Sequence, residues 1–389
     1  MRRIRSTIAI LALTAASLLG TTESATAAEP APYGPAQPLL QNCTTGQPAD
    51  AAIASDGTVH GFASCGMNPV PVISYVRFRG STAFSQPTPY RGRVIKVAWD
   101  DLASSYLLFA RPGPIPGTEQ LFIGKRLDNT GQYAQPTLLT TNRPGGSKHS
   151  LRPVQASLAA FHGTWWAVWT EPTAEVSGVV THSLFQRHTL LSVQSRTRIT
   201  YPVTGADDAA PSLAYAPRSP DPVLGRLTVI WVRTPYLGAH RGQLRLGKEF
   251  GHGWLTSPMP ATVPISRTAY VDQISYLGTR SVTWPGTYSV GVATISGGLL
   301  RPHLFPTGSD LVSSTVAASA QNLFLLWWTN PGPGTTEGQV VLAERQAGTW
   351  YPSATLGGGG DAAVRVLAQG GRGRLVYWHR GTLTLRIQG

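Results

Sequence analysis

Cysteine, lysine and long apolar runs are scarce in this chain, and each scarcity removes a class of protein. Two cysteines occur in 389 residues, Cys43 and Cys65, which leaves room for one disulfide and no more. There are four lysines, at 96, 125, 148 and 248, and charged residues make up 13% of the chain, so the net charge of +13 is carried by arginine rather than by a lysine halo. After the first thirty residues no stretch approaches the roughly 20 apolar residues a membrane helix needs, and no long segment places apolar residues at helical spacing. The G-x-S-x-G turn of α/β-hydrolases and the HExxH zinc motif are missing. Four glycines at 357–360 are not followed by G-K-[ST], which excludes a phosphate-binding loop. The nine histidines are scattered; His182 and His188 would lie about 20 Å apart along a strand, too far to share a metal. No cofactor or metal is therefore expected, and no residue is assigned a catalytic role.

The N-terminus, MRRIRSTIAILALTAASLLGTTESATAAEP, has three early arginines, an apolar stretch from Ile8 to Leu19 and a small-residue run Ala25–Ala28. These are the three regions of a secretory signal peptide. Residues 1–27 are read as signal and 28–389 as one mature, extracellular domain; Arg2-Arg3 leaves the general and twin-arginine export routes both open. Removing Arg2, Arg3, Arg5 and Glu23 lowers the charge from +13 to +11.

A repeat organises the remainder. A short apolar run ending in tryptophan recurs as VIKVAW (94–99), TWWAVW (164–169), LTVIW (227–231), RSVTW (280–284), LFLLWW (323–328) and RLVYW (374–378), with GTVHGFAS (57–64) a weaker member carrying Phe62. The landmarks stand about 50 residues apart on average, the length of a propeller blade. Their continuous apolar character marks strands buried on both faces. A second apolar segment precedes most landmarks, as in DDAAPSLAY (207–215), and a third follows, as in GQLRLGKEF (242–250). The expected fold is all-β: a β-propeller of about seven four-stranded antiparallel blades, with six to eight allowed by the spacing. The last unit stops after its third strand at Gly389, so the segment around Gln37–Thr45 is expected to supply the missing outer strand and close the ring. In an oxidising compartment Cys43 and Cys65 read as one disulfide near that closure.

The pieces P-S-L-A, G-x-L-x-V-x-W and G-x-L-x-L within 207–262 resemble the repeat of secreted bacterial sialidase-like and lectin-like β-propellers. The resemblance covers one unit well and five or six loosely, and implies a fold rather than an activity. The nearest match to an Asp-box, Ser55-Asp56-Gly57-Thr58, departs from it in spacer and aromatic. The arginine triad and tyrosine nucleophile of sialidases find no matching motif, so sialidase activity is not implied.

In a four-stranded blade the loop entering the first strand and the loop leaving the second share one face. First-strand starts carry Asp50, Asp207, Asp208, Asp272, Asp310 and Asp361; just past the tryptophan landmarks come Asp100, Asp101, Glu171, Arg233, Asn330, His379 and Arg380. These polar groups are expected to gather around the mouth of the central channel as ligand-binding candidates. Singly, each aspartate also fits a plain Asx-turn. The expected function is a secreted, non-catalytic module binding a carbohydrate or cell-surface ligand on this face, the basic charge favouring an anionic polymer. A glycoside hydrolase or lyase using paired carboxylates is the alternative, and a protein–protein scaffold the third. Nucleic acid is disfavoured, because no basic cluster is interleaved with aromatics at fixed spacing.

Overall fold

The structure is a computed structural model. It describes residues 32–41, 43, 48–66, 70–114, 116, 118–140, 155–176, 179–189, 196–200, 205–215, 227–234, 242–250, 253–258, 272–276, 279–286, 289–296, 299–307, 311–319, 322–329, 339–357, 362–379 and 382–389. The expected signal segment 1–27 lies outside them.

Seven antiparallel sheets make up the described chain, each a four-stranded blade, with one short extra strand on the second, and no helix occurs among the described residues. The first blade holds β2 (Ala49–Ile53), β3 (Val59–Cys65), β4 (Val72–Arg79) and β5 (Thr82–Arg91). The second holds β6 (Arg93–Asp100), β7 (Ser104–Pro112), β8 (Glu119–Leu127) and β10 (Thr137–Leu138), with the short β9 (Gln132–Tyr133) also on β8. The third is β11 (Ala156–Phe161), β12 (Thr164–Val176), β13 (Val179–His188) and β14 (Thr197–Arg198). The fourth is β15 (Asp207–Tyr215), β16 (Leu227–Thr234), β17 (Gln243–Phe250) and β18 (Gly253–Pro258). The fifth is β19 (Asp272–Tyr276), β20 (Thr279–Gly286), β21 (Ser289–Ser296) and β22 (Leu299–Pro306). The sixth is β23 (Leu311–Ser319), β24 (Asn322–Thr329), β25 (Val340–Gln346) and β26 (Thr349–Gly357). The seventh is β27 (Ala362–Gln369), β28 (Arg372–His379), β29 (Thr382–Ile387) and, from the other end of the chain, β1 (Gln37–Leu40).

Each first strand packs against the next, β2 on β6, β6 on β11 and so on round to β27 on β2, so the sheets form a closed ring: a seven-bladed β-propeller. The termini meet as the repeat required. β1 pairs with β29 from Gln37 opposite Leu385, and the two chain ends continue alongside each other through Gly34 N–H to the Ile387 carbonyl (2.9 Å) and Gly389 N–H to the Pro32 carbonyl (3.1 Å). Cys43, just past β1, is disulfide-bonded to Cys65 at the end of β3, tying the seventh blade to the first. By adding β1, closure covers the edge of β29 and completes the seventh blade as a four-stranded sheet.

The tryptophan landmarks account for the core. Trp169, Trp231, Trp284 and Trp378 on second strands are essentially fully buried between blades. Room for so large a ring comes from the facing strand: Gly291 on β21 lies opposite Trp284, where any β-carbon would overlap the indole. The doubled tryptophans divide: Trp165, Trp166 and Trp327 are buried, whereas Trp328 is half-buried.

One landmark belongs elsewhere. VIKVAW was expected in a second strand, yet it lies in β6, the first strand of its blade; the second strand is β7, whose sequence SSYLLFARP has no tryptophan and buries Leu107, Leu108 and Phe109 instead. Trp99 is consequently not a core ring of the same kind. It is half-buried and stacks on His60 at 4.2 Å.

Candidate functional site

First strands run from the upper face, where they begin and second strands end, to the lower face, where the 1–2 hairpins turn. Asp100 and Asp101 must therefore be moved. They were expected beside the channel mouth on the upper face, but because β6 is a first strand they cap its far end on the lower face. There Asp100 Oδ2 accepts from Gly163 N–H (2.8 Å), and Asp101 Oδ1 accepts from His162 N–H (2.8 Å), joining the β6–β7 turn to the β11–β12 turn of the next blade. Burial, followed by a hydrogen bond with Asp101, raises the carboxyl of Asp100 above its usual range, while Asp101 is lowered chiefly by the same bond. Asp310, Asn330, Asp361 and Arg380 lie outside the described residues.

The remaining candidates do gather toward the upper face, each with a partner. Asp272, first residue of β19, is buried in the channel. Its Oδ1 accepts from Lys96 Nζ of the second blade (3.3 Å) and from Arg365 of the seventh (3.0 Å); its Oδ2 accepts from Thr315 Oγ1 (2.9 Å) and Val316 N–H (3.1 Å) of the sixth. Arg365 also reaches toward Asp50 of the first blade (3.8 Å). Two carboxylates and two cations thus cross the channel from four first strands. Both cations follow a β-bulge, between Val94 and Lys96 in β6 and between Ala363 and Arg365 in β27. An extra residue in one strand bends it and re-aims the side chain that follows. Burial alone would raise the carboxyl of Asp272, but Arg365 and then Lys96 outweigh it and hold it down at about 2.

The aspartates at strand starts were also read as Asx-turns, and two of them do something different. Asp50 Oδ2 accepts from Val97 N–H of the next first strand (2.7 Å), just as Asp272 accepts from Val316 N–H; Ser157 does the same for Leu213 N–H (2.9 Å). A short polar side chain satisfies an inward backbone donor of the neighbouring blade, which would otherwise be buried without a partner.

Asp208 and Arg233 face each other across β15 and β16 as a bidentate pair (2.6 and 2.7 Å), and Asp208 also accepts the indole N–H of Trp231 (2.9 Å). The hydrogen bonds to Asp208 raise the guanidinium of Arg233 further, against burial. Glu171 repeats the arrangement in the third blade: it accepts from Trp169 Nε1 (2.6 Å) and pairs with Arg196. Burial nevertheless pushes the Glu171 carboxyl above its usual range. Asp207 accepts from both the backbone N–H and the ring of His182 (2.9 Å each). His379 closes β28, half-buried, 6.1 Å from Tyr377 between ring centroids.

Lys96 and Arg365 were missed from sequence, although a signal existed: each interrupts an apolar run within a first strand, VIKVAW in β6 and AAVRVLA in β27. A second polar cluster, between the first two blades at the lower face, was also missed. His60 Nδ1 lies 2.8 Å from the Tyr75 hydroxyl, which donates to Asp128 (3.2 Å); Ser105 Oγ donates to Asp128 as well (2.8 Å), and Arg126 pairs with it. Burial, then Arg126, pushes His60 down to about 3. All of these side chains are buried and partnered, which makes the cluster an inter-blade staple.

No family description matches the sequence, and no curated protein is similar to it. Solved structures are. The Fusarium graminearum α-L-arabinofuranosidase, seen in complex with arabinobiose, is 11% identical over 80% of this chain and 98% of its own, with a TM-score of 0.51. The Penicillium chrysogenum α-L-arabinanase is 9% identical over 76% of this chain and 94% of its own (TM-score 0.48). A fucoside-binding lectin of Aleuria aurantia is 12% identical over 81% and 97% (TM-score 0.46). The arabinofuranosidase shares the overall fold of this chain. At such identities the likeness is one of fold alone.

Proposed function

We propose that this is an exported, non-catalytic β-propeller that binds a carbohydrate of an extracellular or cell-surface polymer on its upper face. One observation carries the choice of binding over hydrolysis: five carboxylates placed at the upper face are each committed to a partner. Asp50 and Asp272 hold the channel ion pairs, Asp207 holds His182, Asp208 holds Arg233, and Glu171 holds Arg196. A glycosidase needs one carboxyl that keeps a proton beside a second that is ionised, at a separation of about 5–9.5 Å. Asp50 and Asp272 are bridged by one guanidinium and are near enough, but Asp272, held at about 2, has no proton to give at neutral pH. Glu171, the upper-face carboxyl raised by burial, faces an arginine and a tryptophan.

The disulfide fits an oxidising compartment. The scaffold alternative draws little from the rim: Phe84, Leu138, Leu255 and Leu304 are exposed, but each sits on the outer strand of a different blade. Single exposed apolar residues are ordinary.

The test pairs a glycan array and polysaccharide pull-down with an assay for new reducing ends and unsaturated sugars. Retention without product supports the reading. Turnover of any retained polymer, or no retention at all, overturns it. Sequencing the exported protein is expected to show a start at Glu29 or Ala28.

A further inference from the structure

At the lower face, where the seventh blade meets the first, arginines from both blades converge on one exposed carboxylate. Asp56 stands in the β2–β3 turn, its Oδ1 accepting from Thr58 N–H (2.9 Å). From the seventh blade, Arg374 near the start of β28 donates to the Gly57 carbonyl of that turn and to Gln369 Oε1 (3.4 Å). Arg372, two residues earlier and so on the same side of β28, is exposed. From the third strand of the first blade, Arg79 lies 3.7 Å from Asp56 Oδ2. Arg77, on the same side of β4 as Arg79, sits 5.5 Å over the Phe84 ring. The turns beneath are tied across blades: Gln369 donates to the Ala54 carbonyl (3.2 Å) and Asn322 to the Gly371 carbonyl (2.6 Å).

The cluster is short of counter-charge. Its hydrogen bonds from Thr58 hold the Asp56 carboxyl below the usual range, so it is ionised at neutral pH. Four guanidinium groups less one carboxylate leave +3. Among the described residues only Arg79 of the four has a carboxylate within 4 Å, and both members of that pair are largely exposed, where an ion pair contributes little. Burial pushes the Arg374 guanidinium down, with Asp56 alone acting against it. The bordering turns at 54–58, 80–81 and 370–371 leave Asp56, Arg79 and Arg372 open to solvent. Trp99, at the lower end of β6, lies beside the cluster. Its indole stacks on His60, the residue opposite Arg77 across β3 and β4, and stays half-buried instead of sealed between blades. An apolar ring with a polar edge suits the face of a sugar, and planar guanidinium forks suit oxyanions. Together they favour an acidic sugar polymer over a phospholipid surface, which has no ring to stack.

We propose that this part of the lower face binds an acidic polysaccharide, with Arg77, Arg79, Arg372 and Arg374 taking its carboxylate or sulfate groups and Trp99 stacking on a sugar ring. A bound oxyanion supplies the counter-charge that Asp56 alone does not. The surface lies on the face opposite the carbohydrate site proposed above and stands independently of it.

The experiment measures binding of the full mature protein to polygalacturonate, dextran sulfate, inorganic polyphosphate and phosphatidylglycerol vesicles over a range of salt. Polygalacturonate and dextran sulfate separate carboxylate from sulfate as the recognised group; polyphosphate carries oxyanions without a sugar ring. Arg79→Gln/Arg372→Gln should weaken binding to one acidic polysaccharide by at least about tenfold, the worth of one charge-assisted hydrogen bond. Arg372→Gln and Arg91→Gln each remove one exposed arginine, from the lower and the upper face respectively; the first should weaken binding and the second leave it nearly unchanged. Arg79→Lys/Arg372→Lys keeps the charge but not the fork, and should recover only part of the affinity. Trp99→Ala should weaken binding to the polysaccharide and not to polyphosphate. Near-UV circular dichroism reports whether each variant is intact. Should the glutamine pair misfold, the lysine pair against wild type decides; should Trp99→Ala misfold, a partial loss in Trp99→Phe replaces it. Equal losses in Arg372→Gln and Arg91→Gln mean general attraction and overturn the surface. Polyphosphate or vesicles bound as tightly as the polysaccharide, with Trp99→Ala without effect, overturn it as a sugar site. No binding to any of the four probes also overturns it, while retention of a neutral glycan that these variants leave untouched keeps the upper-face reading standing.

Discussion

Breaking the ion pairs that cross the channel is the perturbation whose size the structure sets best. Asp272 is held near 2 against an ordinary 3.8, in a fully buried position. A difference of nearly two units between folded and unfolded chain corresponds to about 2–3 kcal/mol of stability at neutral pH. Because the folded value is the lower one, this contribution is complete above about pH 4 and fades as the pH falls through 4 toward 2. Asp272→Asn forfeits it, takes the carboxylate from Lys96 and leaves Arg365 only the longer contact to Asp50; removing one partner of a buried pair costs about 3–5 kcal/mol. For a mature chain of this length such a loss lowers the midpoint of thermal unfolding by about 5 °C. Calorimetry at pH 7 is expected to show that gap, and calorimetry near pH 2–3 to show it closing, since the wild-type carboxyl is then also becoming neutral. Equal midpoints at pH 7 would refute the network as a source of stability. A gap that persists unchanged in acid would refute the electrostatic origin.

Reducing the Cys43–Cys65 disulfide, or replacing it by Cys43→Ser/Cys65→Ser, should cost about 3 kcal/mol in the chain-entropy picture and expose the N-terminal strand first. Limited proteolysis followed by mass spectrometry checks whether cleavage before Ala49 precedes global unfolding. Gly291→Ala places a methyl on the Trp284 indole and should destabilise by roughly 1–3 kcal/mol or more; an unaltered urea midpoint contradicts the close approach. His60, pushed down to about 3 by burial and Arg126, stays neutral while folded, whereas the unfolded chain takes up its proton near pH 6.5. Stability therefore falls as the pH drops from about 6.5 toward 3. His60→Gln should flatten that slope, and an unchanged slope would show that the acid sensitivity comes from other groups.

What was legible in the chain was whatever repeats locally. Tryptophan at the end of a short apolar run, with turn residues on both sides, marked second strands correctly in five blades, because a blade interior needs the same large ring each time. The missing fourth strand after Gly389 and the pairing of Cys43 with Cys65 followed from counting, since a closed ring must borrow from the other terminus. VIKVAW misled for the same reason that the others succeeded: its pattern is that of a second strand, while the neighbouring SSYLLFARP fills that place with leucines and phenylalanines. Only the ring as a whole settles which of two apolar strands lies innermost. That assignment decided the face on which Asp100 and Asp101 sit. Partnership was likewise invisible in one dimension. Lys96 meets Asp272 across a separation of 176 residues, and two β-bulges aim the cations at that meeting point. Composition alone announced a basic protein; tertiary structure decided which charges are spent inside the channel and which, on the lower face of the first and seventh blades, remain at the surface.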